Sequence, residues 1–461
     1  MLLAIAAGAA SLSCAGRATV RARISVDTTR QYQRMEAWEV TSQAGQSWAG
    51  YGEFRDTMMA LAADLGINRL RLEVRSGAEH RGRDYWAENK AGRLTGNAFR
   101  CGRYETLNDN DDPRHTDMSA FRFTELDESV EGLVIPLRRA VEARGGRLAI
   151  NVNYVSFITQ CPPGWRYDHR APEEYAEFVV AVVRHLKTRY DIVPEYWEVI
   201  LEPENTADWN GTLIGQAIVA AAARLAEAGF GGIRFIAPST TSMAEAPAMW
   251  DAMLRVPGVR PHVAELSYHR YRGVSLDAMR AIALRSRRDS VPTAMLEKIG
   301  ADVDHLIGDL TVAQASSWQQ FAMGHALPES DFRSRDGGGL YFLVNEADRR
   351  QIRPGVRTPG LRQVMHYVRR GAYRLEASSN DAENAPAIAF RNEDGGHVVV
   401  VRVKAPRGGD IEIAGLPAGR YGITFVTGDT VTGAHADVTL AGSAPLATTI
   451  PGAGVLTVFA R

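Results

Sequence analysis

Short runs of strand-type residues alternate with longer helix-type stretches from about residue 35 to residue 371. The strand-type runs are MEAWEV (35–40), INRLRLEV (67–74), RLAINVNYV (147–155) and YWEVILE (196–202). They continue with IRFIAPS (233–239), VAELSYHRY (263–271), TAMLE (293–297) and SSWQQFAM (316–323). Helical period fills the intervals, as in PEEYAEFVVAVVRHLKTRY (172–190), where Pro172 and two glutamates open the first turn. A second example, residues 211–230, closes on Gly229. Eight strands in strict alternation with helices predict a (β/α)8 barrel. A doubly wound open sheet is the competing architecture, but neither GxGxxG nor GxxxxGK[ST] is present.

The last eighty or so residues change character, with short strands separated by Gly, Pro and Asn-Asp turns. This pattern predicts a small β-sandwich over 375–461, with the barrel over 34–374. The strand-like segment 17–33 is expected to pair into the sandwich. Residues 1–16, MLLAIAAGAASLSCAG, have the apolar and small-residue succession of an export signal without a basic start. The expected location is therefore secreted or periplasmic, with lipid attachment at Cys14 as the alternative processing.

Lys+Arg (53) and Asp+Glu (54) nearly cancel, which leaves no electrostatic footprint for nucleic acid. No segment after the leader has the ~20 continuous apolar residues of a membrane helix. After removal of the leader, Cys101 and Cys161 remain; export favours a disulfide between them, and two buried thiols are the other reading. HExxH and CxxC are lacking, so no metal site and no cofactor are predicted.

Strand side chains alternate between the lumen and the surrounding helices. In INRLRLEV, Leu70, Leu72 and Val74 take the helix-facing side and leave Arg69, Arg71 and Glu73 inside. The same parity turns Glu198 and Glu202 inward, then Glu265, Ser267, His269 and Tyr271, and finally Glu297. Ionised groups are rarely buried unless paired or functional. Arg69 with Glu198 or Glu265 is expected to form structural ion pairs low in the lumen. Arg71, Glu202, His269, Tyr271 and Glu297 fall at the C-terminal strand ends, where barrel active sites lie. Two carboxyl groups on strands four and seven suit glycoside hydrolysis with retention, which needs a nucleophilic carboxylate and a carboxylic acid ~5–5.5 Å apart.

In order and spacing these motifs resemble glycoside hydrolase clan A, and within it family 30. QRMEAWEVTSQAG (33–45) falls where that family has Q-x-x-x-G-F-G, and GINRLRLEV is similar to its arginine-bearing second strand. WEVILEPEN resembles the N-E-P acid/base motif, SYHRY the sixth-strand H-x-Y, and MLEKIG the nucleophile strand. TPGLRQVMHYVRRGAYRLEAS (358–378) is similar to the segment leading into the family's β-sandwich. The resemblance implies Glu202 as general acid/base and Glu297 as nucleophile. It further implies that Arg71 and Tyr271 keep Glu297 ionised, that His269 lines the scissile-sugar subsite, and that Trp318 stacks on that sugar. The implied activity is that of a retaining β-glycosidase or endo-glycanase, a monomer acting on carbohydrate.

The pattern departs in places. Leu201 stands where the family has the Asn that bonds the sugar 2-hydroxyl, and Asn153 is the candidate replacement. Ala37 and Glu39 replace the G-F-G glycines, and Glu39 adds an inward carboxylate. A barrel that binds carbohydrate without turning it over is the second reading, and Leu201 motivates it. Trp86, Trp165 and Trp209 are loop candidates for sugar subsites.

Overall fold

The computed structural model describes residues 19–206, 209–334, 336–428, 431–442 and 444–461. The expected export segment and Cys14 lie outside the described residues. The chain divides into two compact units. One comprises Gln31–Arg374 with Phe390–Gly395; the other comprises the N-terminal strand to Arg30 with Leu375–Ala389 and Gly396–Arg461.

The first strand, β1 (Val20–Arg34), belongs mainly to the smaller unit. The larger unit is built on β2 (Ala37–Thr41), β3 (Arg69–Arg75), β4 (Ala149–Val155) and β5 (Tyr196–Glu198). It continues through β6 (Arg234–Ser242), β7 (Val263–Arg272), β8 (Thr293–Glu297) and β9 (Ala315–Trp318). These strands pair in parallel in chain order, and β9 returns to β2 through Ala37↔Ser317 and Trp38↔Trp318. The result is a closed eight-stranded barrel, the architecture the alternating pattern predicts.

Helix Pro172–Tyr190 shows why the outer layer forms. Proline at its start cannot miss a hydrogen bond it never makes, and Glu173 and Glu174 sit at the positive end of the helix dipole. Tyr175, Phe178, Val179, Val182 and Leu186 are buried along it. In the next helix, Gly211–Glu227, the Asn210 side chain accepts from the N–H groups of Thr212 and Leu213 and caps the first turn. A Cβ on Gly211 would lie 2.4 Å from the Met249 carbonyl oxygen, so glycine permits the close approach of Ala246–Leu254.

Strand β5 is shorter than its sequence pattern suggests. Beyond Glu198 the chain stays extended through alternating bonds, with Val199 N–H donating to Ile236 O, Leu201 N–H to Tyr154 O and Glu202 N–H to Ser239 O. Glu202 then adopts the left-handed conformation (φ 51, ψ 66) and turns the chain into the 3-10 segment Pro203–Asn205. That conformation is unusual for a non-glycine residue and aims the side chain back across the lumen.

Between β3 and β4 a long insertion carries helices Tyr85–Lys90 and Gly96–Gly102. A disulfide joins Cys101 to Cys161, across a sequence separation of 60 residues. Among the described residues no helix is long and apolar enough to cross a membrane.

The smaller unit is one nine-stranded sheet in the order Val431–Leu440, Gly419–Thr427, Gly454–Ala460, His397–Val403, Ala387–Arg391, Tyr373–Ser379, β1, Gly409–Ala414, Leu446–Ile450. β1 runs parallel to Gly409–Ala414, with Val20 opposite Gly409. Its alternation puts Val20, Ala22, Ile24 and Val26 into a core shared with Val401, Ile413, Leu446 and Leu456. Strands from both flanks of the sheet thus meet across one interior, as a sandwich requires.

Candidate active site

The barrel lumen is layered. At its floor Arg69 donates from Nη1 and Nη2 to the two Glu265 oxygens at 2.9 Å each, and from Nε to Glu39 Oε2 at 2.5 Å. The Ser317 hydroxyl donates to Glu265 Oε1 at 2.6 Å, and Asn151 Nδ2 donates to Glu39 and Glu198. All of these side chains are buried, and the two carboxylates outweigh the desolvation that works against the Arg69 cation. Of the two ion-pair partners the sequence offered for Arg69, the structure selects Glu265.

One layer up, fully buried Arg71 donates from Nη2 to Glu297 Oε2 and from Nη1 to the Leu296 carbonyl, with Glu198 Oε1 at 3.9 Å. Burial disfavours its charge, but Glu297, Glu198 and Glu73 together push its pKa up, so it stays a cation. Burial wins over Arg71 at Glu198, whose pKa is raised.

At the C-terminal rim Glu297, the last residue of β8, also accepts from the Tyr271 hydroxyl at 2.9 Å. Both of its oxygens therefore accept from donors, Oε1 from Tyr271 and Oε2 from Arg71. Glu202 approaches from the β5 turn. His269 Nδ1 donates to Glu202 Oε1 at 3.0 Å, and Asn205 Nδ2 donates to Oε2 at 2.7 Å. Burial raises the Glu202 pKa, but the His269 bond and charge outweigh it and hold the carboxyl below its usual range. Reciprocally, burial lowers His269, and the Glu202 bond with the Glu297 charge outweighs that and raises it.

Glu202, His269 and Glu297 each present a ligand atom within 4.8 Å of the others, close enough to share a divalent cation. The Arg71 guanidinium on Glu297 and the proton favoured on His269 oppose that use. The neighbouring Glu204 is occupied elsewhere, accepting from the backbone of Thr241 (3.0 Å) and Ser242 (3.1 Å).

Asn153 lies on the lumen side of β4 beside Glu198, fully buried, and neither amide atom has a hydrogen-bond partner. Leu201 is buried and brings no polar group to the lumen. Trp318 corrects the sequence reading. Its indole is fully buried and donates from Nε1 to Asp309 at 3.0 Å. Asp309 also bonds Tyr268 and Arg270, which alternate with the lumen residues of β7, so Trp318 faces the helices and offers no surface to a sugar. Trp209 is likewise a packing residue, buried with Nε1 on the Tyr167 hydroxyl. Trp86 lines a cavity of about 220 Å³ with Trp48, Glu73, Arg75 and His325.

Strand parity did not reveal Asn205, Gln319 or Gln320. Asn205 orients Glu202, while buried Gln319 and Gln320 follow β9 with side-chain atoms lacking partners. Their signal in the sequence is the pair QQ immediately after a strand end and the Asn closing EPEN.

The closed eight-stranded barrel and the all-β unit make up a fold that solved glycoside hydrolase family 30 structures share. Among solved structures the chain is similar to the catalytic domain of GH30 xylanase C from Talaromyces cellulolyticus, at TM-score 0.67 and 12% identity over 95% of this chain and 100% of that one. It is similar to a GH30 endoxylanase from Clostridium papyrosolvens at TM-score 0.65 and 14% identity, with 95% and 100% covered. An endo-β1,6-glucanase matches at TM-score 0.64 and 11% identity, with 95% and 94% covered. No family model and no curated protein matches the sequence.

Proposed function

We propose that the protein is a retaining glycoside hydrolase acting on β-linked oligo- or polysaccharide. The observation that carries this reading is the approach of Glu202 and Glu297 within 4.8 Å. Retaining enzymes hold their carboxyl groups ~5–5.5 Å apart, whereas inverting enzymes need ~6.5–9.5 Å to admit water between them.

In this mechanism Glu297 attacks the anomeric carbon while Glu202 gives its proton to the glycosidic oxygen. The carbon–oxygen bond to the leaving group breaks, and a glycosyl ester forms on Glu297. Water then attacks the same carbon, Glu202 takes its proton, and the ester bond breaks. Arg71 and Tyr271 hold the Glu297 charge before attack and after release. His269 shares a proton with Glu202 and supplies it for the first step. Asn153, with an unpaired amide, takes the sugar hydroxyl that Leu201 cannot bind.

Export to an oxidising compartment completes the proposal and agrees with the Cys101–Cys161 disulfide. The decisive experiment presents aryl β-glycosides and plant or microbial β-glycans, and follows the first-formed anomer by NMR. A β-product is expected. An α-product, or glycan affinity without turnover, would overturn the assignment.

A further inference from the structure

Glu202 sits on backbone that does not hold itself in place. Its left-handed conformation (φ 51, ψ 66) persists in a non-glycine residue only where the surroundings over-determine it. Within the turn, the N–H groups of Asn205 and Thr206 donate to the carbonyls of Glu202 (2.8 Å) and Pro203 (2.9 Å). Those bonds fix the shape of the turn but not its position over the lumen.

Two hydroxyl bonds to the chain that follows β4 supply the position. The Thr159 hydroxyl donates to the Asn205 carbonyl at 2.5 Å, and the buried Thr206 hydroxyl donates to the Ser156 carbonyl at 2.5 Å. Asn205 is also the residue whose amide donates to Glu202 Oε2 at 2.7 Å, so it links Thr159 directly to the carboxyl. The 156–161 segment is in turn tied to the β3–β4 insertion. Cys161 is bonded to Cys101 of helix Gly96–Gly102, and Arg100 Nη2 donates to Gln160 Oε1 at 3.0 Å. The Ser76 hydroxyl donates to that of Ser156 at 3.1 Å. Water competes for the exposed Arg100–Gln160 bond, whereas the disulfide is covalent.

Given Glu202 as the acid/base of the proposed hydrolysis, on which this rests, we propose that Thr159 is a positioning residue for Glu202, held to that task by the Cys101–Cys161 disulfide. Loss of the Thr159 hydroxyl or of the disulfide lets the 203–206 turn drift, and the Glu202 proton no longer lines up with the glycosidic oxygen. Glu297 is untouched, because its donors Arg71 and Tyr271 come from β3 and β7. The defect therefore grows with the leaving group's need for a proton.

The test compares kcat/KM on 2,4-dinitrophenyl, 4-nitrophenyl and phenyl β-glycosides of one sugar, whose leaving groups need progressively more protonation. The ratio of rates on two substrates does not depend on the folded fraction, so a merely destabilised variant keeps the wild-type ratio. Thr159→Val is expected to lose about tenfold or more on the phenyl glycoside and under about twofold on the dinitrophenyl one. Thr159→Ser, which keeps the hydroxyl, is expected to restore the wild-type ratio. Dithiothreitol takes the disulfide to two thiols as it closes to its own ring disulfide, and the reduced enzyme should shift like Thr159→Val. Combined Cys101→Ser and Cys161→Ser should do the same. Glu202→Ala is the reference, with the steepest dependence on leaving group. A wild-type ratio in Thr159→Val or in the reduced enzyme, beside a steep dependence in Glu202→Ala, overturns this proposal alone. A flat dependence in Glu202→Ala overturns the acid/base assignment and this proposal together.

Discussion

The imidazole of His269 donates from Nδ1 to Oε1 of Glu202 at 3.0 Å, and this bond sets the protonation of the proposed acid/base. The pair acts as one titrating unit. Glu202 loses its share of the proton readily because its pKa is lowered from 4.5, and His269 retains it because its pKa is raised from 6.5.

A pH profile of kcat/KM is therefore expected to have its alkaline limb above pH 6.5, where His269 finally deprotonates. In His269→Gln, Glu202 titrates without its partner and the alkaline limb moves acidward. An unmoved limb would separate His269 from the proton inventory. Stability follows the same pair. The lowered Glu202 contributes above pH 4.5 and loses its contribution as pH falls through its folded value. The raised His269 contributes below pH 6.5 and loses its contribution as pH rises through its folded value. The pair's stabilisation is greatest between those limits, which Tm measured across pH in wild type and His269→Gln tests.

Glu202→Ala and Glu297→Ala are each expected to lower kcat on unactivated β-glycosides by about 1,000-fold or more. Azide distinguishes their roles. With an activated aryl glycoside, Glu202→Ala should yield the β-glycosyl azide and Glu297→Ala the α-azide. Identical azide anomers from both variants would reverse or remove the assignment. Glu204→Gln keeps most activity, since Glu204 is committed to the backbone of Thr241 and Ser242.

Asn153→Val tests a different trade. The free protein leaves both amide atoms of Asn153 unpaired, so replacing it should not reduce stability in urea. Turnover should fall roughly 10–100-fold in kcat/KM, about 1.4–2.8 kcal/mol of lost transition-state contact. A destabilised variant with normal kinetics would make Asn153 a packing residue.

Arg69→Met should cost about 3–5 kcal/mol, because Glu265 and Glu39 would be left buried without their counter-charge. Urea denaturation measures this directly, and a loss under about 1 kcal/mol would show that water reaches the lumen floor.

Much of the barrel was legible because buried strands follow a two-residue period. Leu70, Leu72 and Val74 against Arg69 and Arg71 reveal both faces of β3, and His269 with Tyr271 do so for β7. Trp318 was misread because its neighbour holds the lumen position: Ser317 bonds Glu265, so Trp318 must take the opposite face. Past the strand ends the period stops. Glu202 reverses in a left-handed turn, and Asn205, Gln319 and Gln320 follow irregular backbone whose direction no periodicity encodes.

The Arg69 clamp with Glu39 and Glu265 fills the floor of the lumen. If the proposed double displacement operates above that floor, the aglycone leaves by the rim where water arrives, and an added alcohol there competes for the glycosyl ester. Glycosyl transfer to added acceptors is then an expected by-product of the plugged floor.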